Sequence, residues 1–325
     1  MKPCVYAIYS HINPAQVVRL VTTLRVLSPR AHIVVHHDPT IANISPKEIV
    51  DAAAILIPDP VKAEWGDFSQ VQQHLYVMRW CVENLDFKWL ITLTGQTYPI
   101  KPIAEFEAFL EASDYDAYLI NFEAYDPRVW PKGEAERRYH YRYMKLPRFR
   151  YWHRIPSVIR NKIPNIIRAF NAIQPFIKIF TYPKSLPTRV GYRTINRPFG
   201  TNHIRLVGAN QNTNFSHETI LAILKYVDSH PEYTKYFSRT ALPDEAFFAT
   251  ILRNNPKLRL ANDSLRHIYW PGGHSASGGV MGLQHLPELE ASQAYFGLKF
   301  DQGVCPELLD SIDIKLGLRP EGNAI

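Results

Sequence analysis

Leu90-Ile-Thr-Leu-Thr-Gly-Gln-Thr-Tyr-Pro-Ile-Lys101 decides the fold. Trp89 to Leu93 is almost wholly apolar, as a strand must be when helices cover both faces of a parallel sheet. It runs into a small-residue turn, Thr94-Gly95-Gln96-Thr97, and leaves through Pro99. Upstream, strand-like and helix-like stretches alternate. Val5 to Tyr9 reads as a strand, Pro14 to Leu24 as a helix with Pro in its first turn, and Ala31 to His37 as a second strand. Ala53 to Ile57 reads as a third strand, and Asp67 to Asn84 as a long helix with Val71, Leu75, Met78 and Val82 at helical spacing. Downstream, Ile103 to Leu110 is helical and Ala117 to Phe122 is another strand. Such βαβ repetition predicts an α/β, doubly wound sheet whose ligands bind beyond the carboxyl ends of its strands.

The bulk properties narrow the class. In 325 residues, 46% are apolar and 21% charged, which suits one large α/β domain with a packed core. Met1-Lys-Pro runs straight into the first strand with no leader pattern, and no apolar run approaches a membrane span. Cys4, Cys81 and Cys305 have no metal-type or framework spacing, so a cytoplasmic setting is expected. Net charge is +7, but its distribution says more. Arg137 to His217 holds 16 Lys and Arg and no Asp or Glu; the remainder, with 21 cations against 30 acids, carries −9.

Leu242-Pro-Asp-Glu-Ala-Phe-Phe248 places two carboxylates at the start of a helix read as Pro243 to Leu252. At about 100° per residue, Asp244 falls within the apolar face of Phe247, Phe248, Ile251 and Leu252, and Glu245 at its edge. Asp244 is therefore expected to be a buried hydrogen-bond partner. Glu245 is expected to face a cleft, where a carboxylate can take a proton from a hydroxyl. Both residues also suit a helix amino terminus for its own stability. Trp65-Gly66-Asp67 precedes the long helix; Asp67 reads as its N-cap, and the turn is suited to an anion. Many nucleotide-sugar transferases carry an Asp-x-Asp metal site after a central strand. Here that position is Thr94-Gly-Gln-Thr97, and Asp114-Tyr-Asp116 reads as a solvated turn before a strand. Without a metal, a leaving diphosphate needs fixed cations, for which Lys299 and Arg266 are candidates.

Together and in order, Tyr9-Ser-His11, Val35-His-His-Asp38, Trp65-Gly66 with Ser69, Leu93 to Ile100, Pro243 to Phe248, Leu265-Arg266 with Trp270, and Phe296 with Lys299-Phe-Asp301 resemble one family. It is the core-2/I-branching β-1,6-N-acetylglucosaminyltransferase family, which includes peptide O-xylosyltransferases; the chain resembles a bacterial-type member. The resemblance implies a GT-A-like mixed sheet with a Rossmann-like nucleotide half. It implies inverting, metal-independent transfer of a sugar, N-acetylglucosamine first and xylose next, from a UDP-sugar to an acceptor hydroxyl. Glu245 falls on its general base; Tyr9, Asp38, Trp65, Lys299 and Arg266 fall on the donor side; Gln96, Tyr98 and Asp244 fall on the acceptor side. No metal or other cofactor is expected. The chain departs from the family at Thr97, where an Asp is usual, and at Leu298, where a cation is frequent. The acceptor-side Gly-Ser-x-Trp is replaced by either Gly200-Thr-Asn-His203 or Gly208-Ala-Asn-Gln211. These departures keep a non-catalytic saccharide-binding protein as the alternative.

The expected organisation is a nucleotide-sugar half (1–124), a basic aromatic helical insert (125–200) and an acceptor or catalytic half (201–325). In the insert, apolar Ile159, Ile163, Ile166, Phe170, Ile173 and Phe176 alternate with Lys and Arg. That suits residues 154–180 to an anionic membrane surface, making the chain peripheral on the inner face and its acceptor a saccharide or lipid-linked saccharide. A lid or acceptor-binding insert fits the same composition, and nucleic acid is disfavoured.

Overall fold

The computed structural model describes residues 2–146, 156–180, 188–195, 197–199, 204–272 and 278–320. In chain order they form β1 (Cys4–Ser10), α1 (Pro14–Leu27), β2 (His32–His37), α2 (Pro46–Asp51), β3 (Ile55–Leu56), α3 (Phe68–Asn84) and β4 (Trp89–Thr94). Next come β5 (Tyr98–Pro99), α4 (Ile103–Glu111), β6 (Ala117–Tyr118), β7 (Asn121–Glu123), α5 (Glu134–Tyr139) and β8 (Tyr141–Lys145). Then follow α6 (Ser157–Arg160), α7 (Ile163–Ile173), β9 (Ile177–Phe180), β10 (Arg189–Arg193), β11 (Val207–Ala209), β12 (Asn214–Ser216), α8 (His217–Ser229) and α9 (Pro231–Phe237). The chain closes with α10 (Phe247–Arg253), β13 (Leu260–Ala261), β14 (Arg266–Ile268), α11 (Leu286–Ala291), β15 (Phe296–Leu298) and α12 (Pro306–Lys315).

The main sheet runs β13-β6-β12-β4-β1-β2-β3. β4, β1, β2 and β3 are parallel, and β12 enters antiparallel between β4 and β6. Period-two alternation divides the side chains between two cores. Val5, Ala7, Leu90 and Phe215 lie under α3, α8 and α10, while Tyr6, Ile8, Ile91 and Leu93 lie under α1, α4 and α12. The α/β, doubly wound reading therefore holds, with a mixed rather than all-parallel sheet.

The differences are local. The strand read as 117–122 is two strands, because β6 stays in the main sheet while β7 pairs with β11. The helix read as 243–252 is broken at Ala246 (φ −140°, ψ −23°): Pro243–Glu245 is one turn of 3₁₀ helix, and α10 begins afterwards. The basic segment builds its own antiparallel sheet, β8-β10-β9, with α7 beside it. Phe149, Tyr151 and Trp152, and the alternative at Gly200 to His203, lie outside the described residues.

Candidate active site

The carboxyl ends of β1, β2 and β4 are in register, Tyr9 beside His36 and Thr94, Ser10 beside His37. Asp38 leaves this edge with its amide bound to Ser10 O at 2.8 Å. Although only 4% exposed, its carboxylate takes three donors: Thr40 N (2.9 Å), Thr40 Oγ1 (2.5 Å) and Ala63 N (2.9 Å). Burial alone would raise its pKa; these hydrogen bonds outweigh burial and hold the carboxyl below its ordinary value. Lys299 stands on the turn after β15, half-buried, and Phe300 N donates to Gln96 O (2.9 Å), tying that turn to the end of β4. Burial lowers the Lys299 pKa. His11 lies in the field of both groups: burial lowers its pKa first, Asp38 opposes the shift, and His37 and Lys299 add to it. Asp38, His11 and Lys299 thus share one edge, with an ammonium that has no carboxylate within 4.0 Å among the described residues.

A second rim faces α3. Gly66 has φ +68°, a conformation natural to glycine, and its carbonyl accepts from Leu242 N at 3.2 Å. Trp65, 41% exposed, is thereby held next to the Pro243–Glu245 turn. Asp67 caps α3 through Ser69 N (3.0 Å), as its sequence position suggests, and is also gripped by Arg189 and Lys145, each at 2.8 Å.

Asp244 is 6% exposed; Gln211 Nε2 donates to one of its oxygens, and the other has no partner among the described residues. Burial, then the neighbouring Glu245, raises its pKa. The Glu245 side chain keeps 29% exposure and forms an ion pair with Arg138. Burial raises the Glu245 pKa and Arg138 opposes the rise. Arg138 in turn binds Glu134 (2.5 Å), lies 4.5 Å from the centre of the Trp130 ring, and rides on a helix whose Tyr139 hydroxyl donates to Leu242 O (2.8 Å). The two rims are joined through the core: Tyr9 stacks on His74 at 4.4 Å, and His74 meets Phe248 at 5.9 Å. A partly exposed carboxylate on the turn bonded to Gly66, next to the exposed Trp65, with an ammonium at the strand ends, suits proton removal from a hydroxyl and departure of an anion.

Three expected site residues are buried and make contacts within the fold. Tyr98 is fully buried and its hydroxyl donates to Asp313 (2.7 Å) and meets Thr23 (2.7 Å), so it faces α12 and no acceptor. Arg266, 8% exposed, donates to Thr92 O (3.2 Å), Ser264 O (3.1 Å) and Asn214 Oδ1 (2.9 Å) while lying on the Phe296 ring at 4.5 Å. It braces β4 against β12 and has no donor left for a diphosphate beyond its buried Nε. Tyr9 is 9% exposed with its hydroxyl buried, and its ring contacts are internal. Gln96 remains partly exposed at the end of β4.

Nothing in the sequence separates Arg138 from its basic run or marks Glu134, and Gln211 stands out only as part of an alternative acceptor segment. Asp114-Tyr-Asp116 is a turn, with Asp116 accepting from Arg259 N (2.7 Å). No cluster of three or more His, Cys, Asp or Glu suited to a metal occurs among the described residues.

The sequence profile described as Core-2/I-Branching enzyme matches residues 32–289, most of the chain. The chain belongs to the core-2/I-branching enzyme family. It is therefore a glycosyltransferase. A search of curated proteins returned no match. Among solved structures, mouse xyloside xylosyltransferase 1 (apo form) is similar over 91% of this chain and 97% of its own, at 11% identity and TM-score 0.39. HddC from Yersinia pseudotuberculosis is similar over 38% of this chain and 60% of its own, at 11% identity and TM-score 0.24.

Proposed function

We propose that this branching-family transferase moves a sugar from a UDP-sugar to an acceptor hydroxyl with inversion and without a metal. The observation that carries the reading is Glu245: a carboxylate partly open to solvent, held by Arg138 and set beside Trp65. In a single displacement, Glu245 takes the acceptor's proton as its oxygen bonds to the anomeric carbon. The bond from that carbon to the UDP oxygen breaks on the opposite face, and Lys299 offsets the charge that leaves. Asp38, kept ionised by its three donors, is placed to accept from a uridine hydroxyl or imide. Metal independence rests on the carboxylate-free Thr94 to Thr97 turn together with this unpaired ammonium. N-acetylglucosamine is the first donor to test and xylose the second.

The acceptor in this reading is a saccharide or lipid-linked saccharide, and the protein sits peripherally on the inner face of a membrane. What supports this is α7, which buries none of its residues and exposes Ile166 (62%), Phe170 (40%) and Ile173 (84%) beside Lys162 and Arg168. No helix among the described residues is long and apolar enough to cross a bilayer.

The test is UDP release from a panel of UDP-sugars with EDTA present. One donor should turn over unchanged by chelation, and Glu245→Gln should lower its rate by about 10²–10⁴ while UDP binding persists. Turnover only after manganese is added, or full activity in Glu245→Gln, overturns the reading.

A further inference from the structure

The acid-free stretch is more than a positive surface, because its cations converge. Between α5 and the β8-β10-β9 sheet lies a cavity of about 240 Å³, lined by Arg137, His140, Tyr141, Lys178, Arg193 and one acid, Glu136. Arg197 reaches the same place, bonded to His140 Nδ1 at 2.8 Å. Arg137 is neutralised by Glu134 (2.6 Å) and laid on the Phe180 ring at 4.1 Å. Lys178 and Arg193 have no such partner: neither has a carboxylate within 4.0 Å among the described residues. They repel one another instead. Burial and Arg193 both lower the Lys178 pKa; burial, Arg197 and Arg193 bring His140 down to about 4. The Lys178 ammonium also caps the end of α7 through Asn171 O and Gln174 O, but its charge, Arg193 and Arg197 still meet around an open cavity, a setting that an anion would complete.

The cavity has an apolar margin. Lys178 donates to Gln174 O (3.0 Å) at the end of α7, and Asn171 of that helix clasps Ile179 through both of its amide atoms at 2.8 Å. The side chains flanking this junction point to solvent: Ile173 is 84% exposed, Phe176 70% and Ile177 43%. An anionic head next to an uncovered apolar strip matches one ligand chemistry, a phosphorylated lipid.

We propose that this cavity binds the phosphate or diphosphate head of a membrane lipid, with the lipid's chain against Ile173, Phe176 and Ile177. The site deepens the membrane reading above and rests on it for the source of the phosphate. Glu245 is not among its lining residues, and the site can be tested without turnover, so its failure leaves the transferase reading intact.

The experiment is vesicle flotation of the full chain on phosphatidylcholine alone and on phosphatidylcholine containing a minor fraction of phosphatidic acid, with inorganic pyrophosphate as competitor. Binding should require phosphatidic acid and be displaced by pyrophosphate. Lys178→Gln with Arg193→Gln should weaken it about tenfold or more. Arg193→Gln alone, at an exposed side chain without a fold contact, should carry part of that loss even if Lys178→Gln disturbs the end of α7. Ile173→Ser with Phe176→Ser should abolish flotation and leave pyrophosphate binding unchanged by calorimetry. Lys162→Gln with Arg168→Gln, cations at the start of α7 and on it that lie outside the cavity, should weaken binding far less. An equal loss in that control pair means a diffuse charge effect and overturns the proposal. So does pyrophosphate binding with no flotation, which makes the ligand a free anion, and so does flotation that ignores phosphatidic acid.

Discussion

The end of β2 and the turn before α10 each take an aspartate almost out of contact with solvent, Asp38 at 4% and Asp244 at 6% exposure, yet drive it in opposite directions. Asp38 has three donors and its pKa falls; Asp244 has one donor, a carboxylate neighbour and an unpartnered oxygen, and its pKa rises. Depth alone does not set the charge of a buried acid. The balance of desolvation, aimed donors and neighbouring charge does, and it tips one way at Asp38 and the other at Asp244. The first arrangement favours a fixed anion at the strand ends, and the second raises the pKa of both carboxyls, with Arg138 opposing the rise at Glu245.

The strongest way to break this contrast is Arg138→Gln, which strips the shared cation from Glu245 and Glu134 at once. Removing one partner of a largely buried pair costs about 3–5 kcal/mol, and thermal melting should show it. Catalysis carries a more specific signature. A base must be ionised, so activity fails as pH falls through the Glu245 pKa; without Arg138 that pKa rises, and the acid limb should move to higher pH. A limb that stays put means Arg138 does not govern the base.

Asp38→Asn comes next. The amide keeps one acceptor but turns a donor toward groups that also donate, with an expected loss of about 1.5–3 kcal/mol and weaker UDP binding by calorimetry. Unchanged UDP affinity would remove Asp38 from the donor site.

Asp244→Asn should have the smallest effect at low pH and the opposite sign above it. A carboxyl whose folded pKa is raised favours folding fully below its unfolded value near 3.8 and loses that advantage as pH climbs to the folded value. The variant has no such proton to lose. Its melting temperature should fall less steeply across that interval and exceed the wild type at neutral pH; parallel curves would show that Asp244 does not titrate there.

The same physics explains what could be read from the chain. Core strands advertise themselves because burial on both faces demands unbroken apolar runs, as in Val5 to Ile8. β12 did not, since Asn214-Phe-Ser216 is three residues long and carries Asn214, whose amide is used to bind Ser264 O and Arg266. Asp244 and Glu245 were legible as a buried and a facing carboxylate, although the helix invoked to separate them is broken at Ala246. Tyr98 and Arg266 looked like site groups because a polar tip gives no sign of its destination; the Tyr98 partner, Asp313, is 215 residues away. Arg138 was illegible for the same reason, its pairing with Glu245 spanning 107 residues.

The buried amide of Gln16 bonds Gly95 O (2.8 Å) and Phe300 O (3.1 Å), and its carbonyl accepts from Gln302 N (2.7 Å). One side chain from the first helix therefore fastens the end of β4 to a turn that lies 284 residues beyond Gln16 in the chain. During synthesis the nucleotide edge stays unfinished until that turn has left the ribosome. A nascent chain halted before Lys299 has the parallel strands and both carboxylates of the 244–245 turn, but lacks the turn that completes this edge and the fastening that sets it.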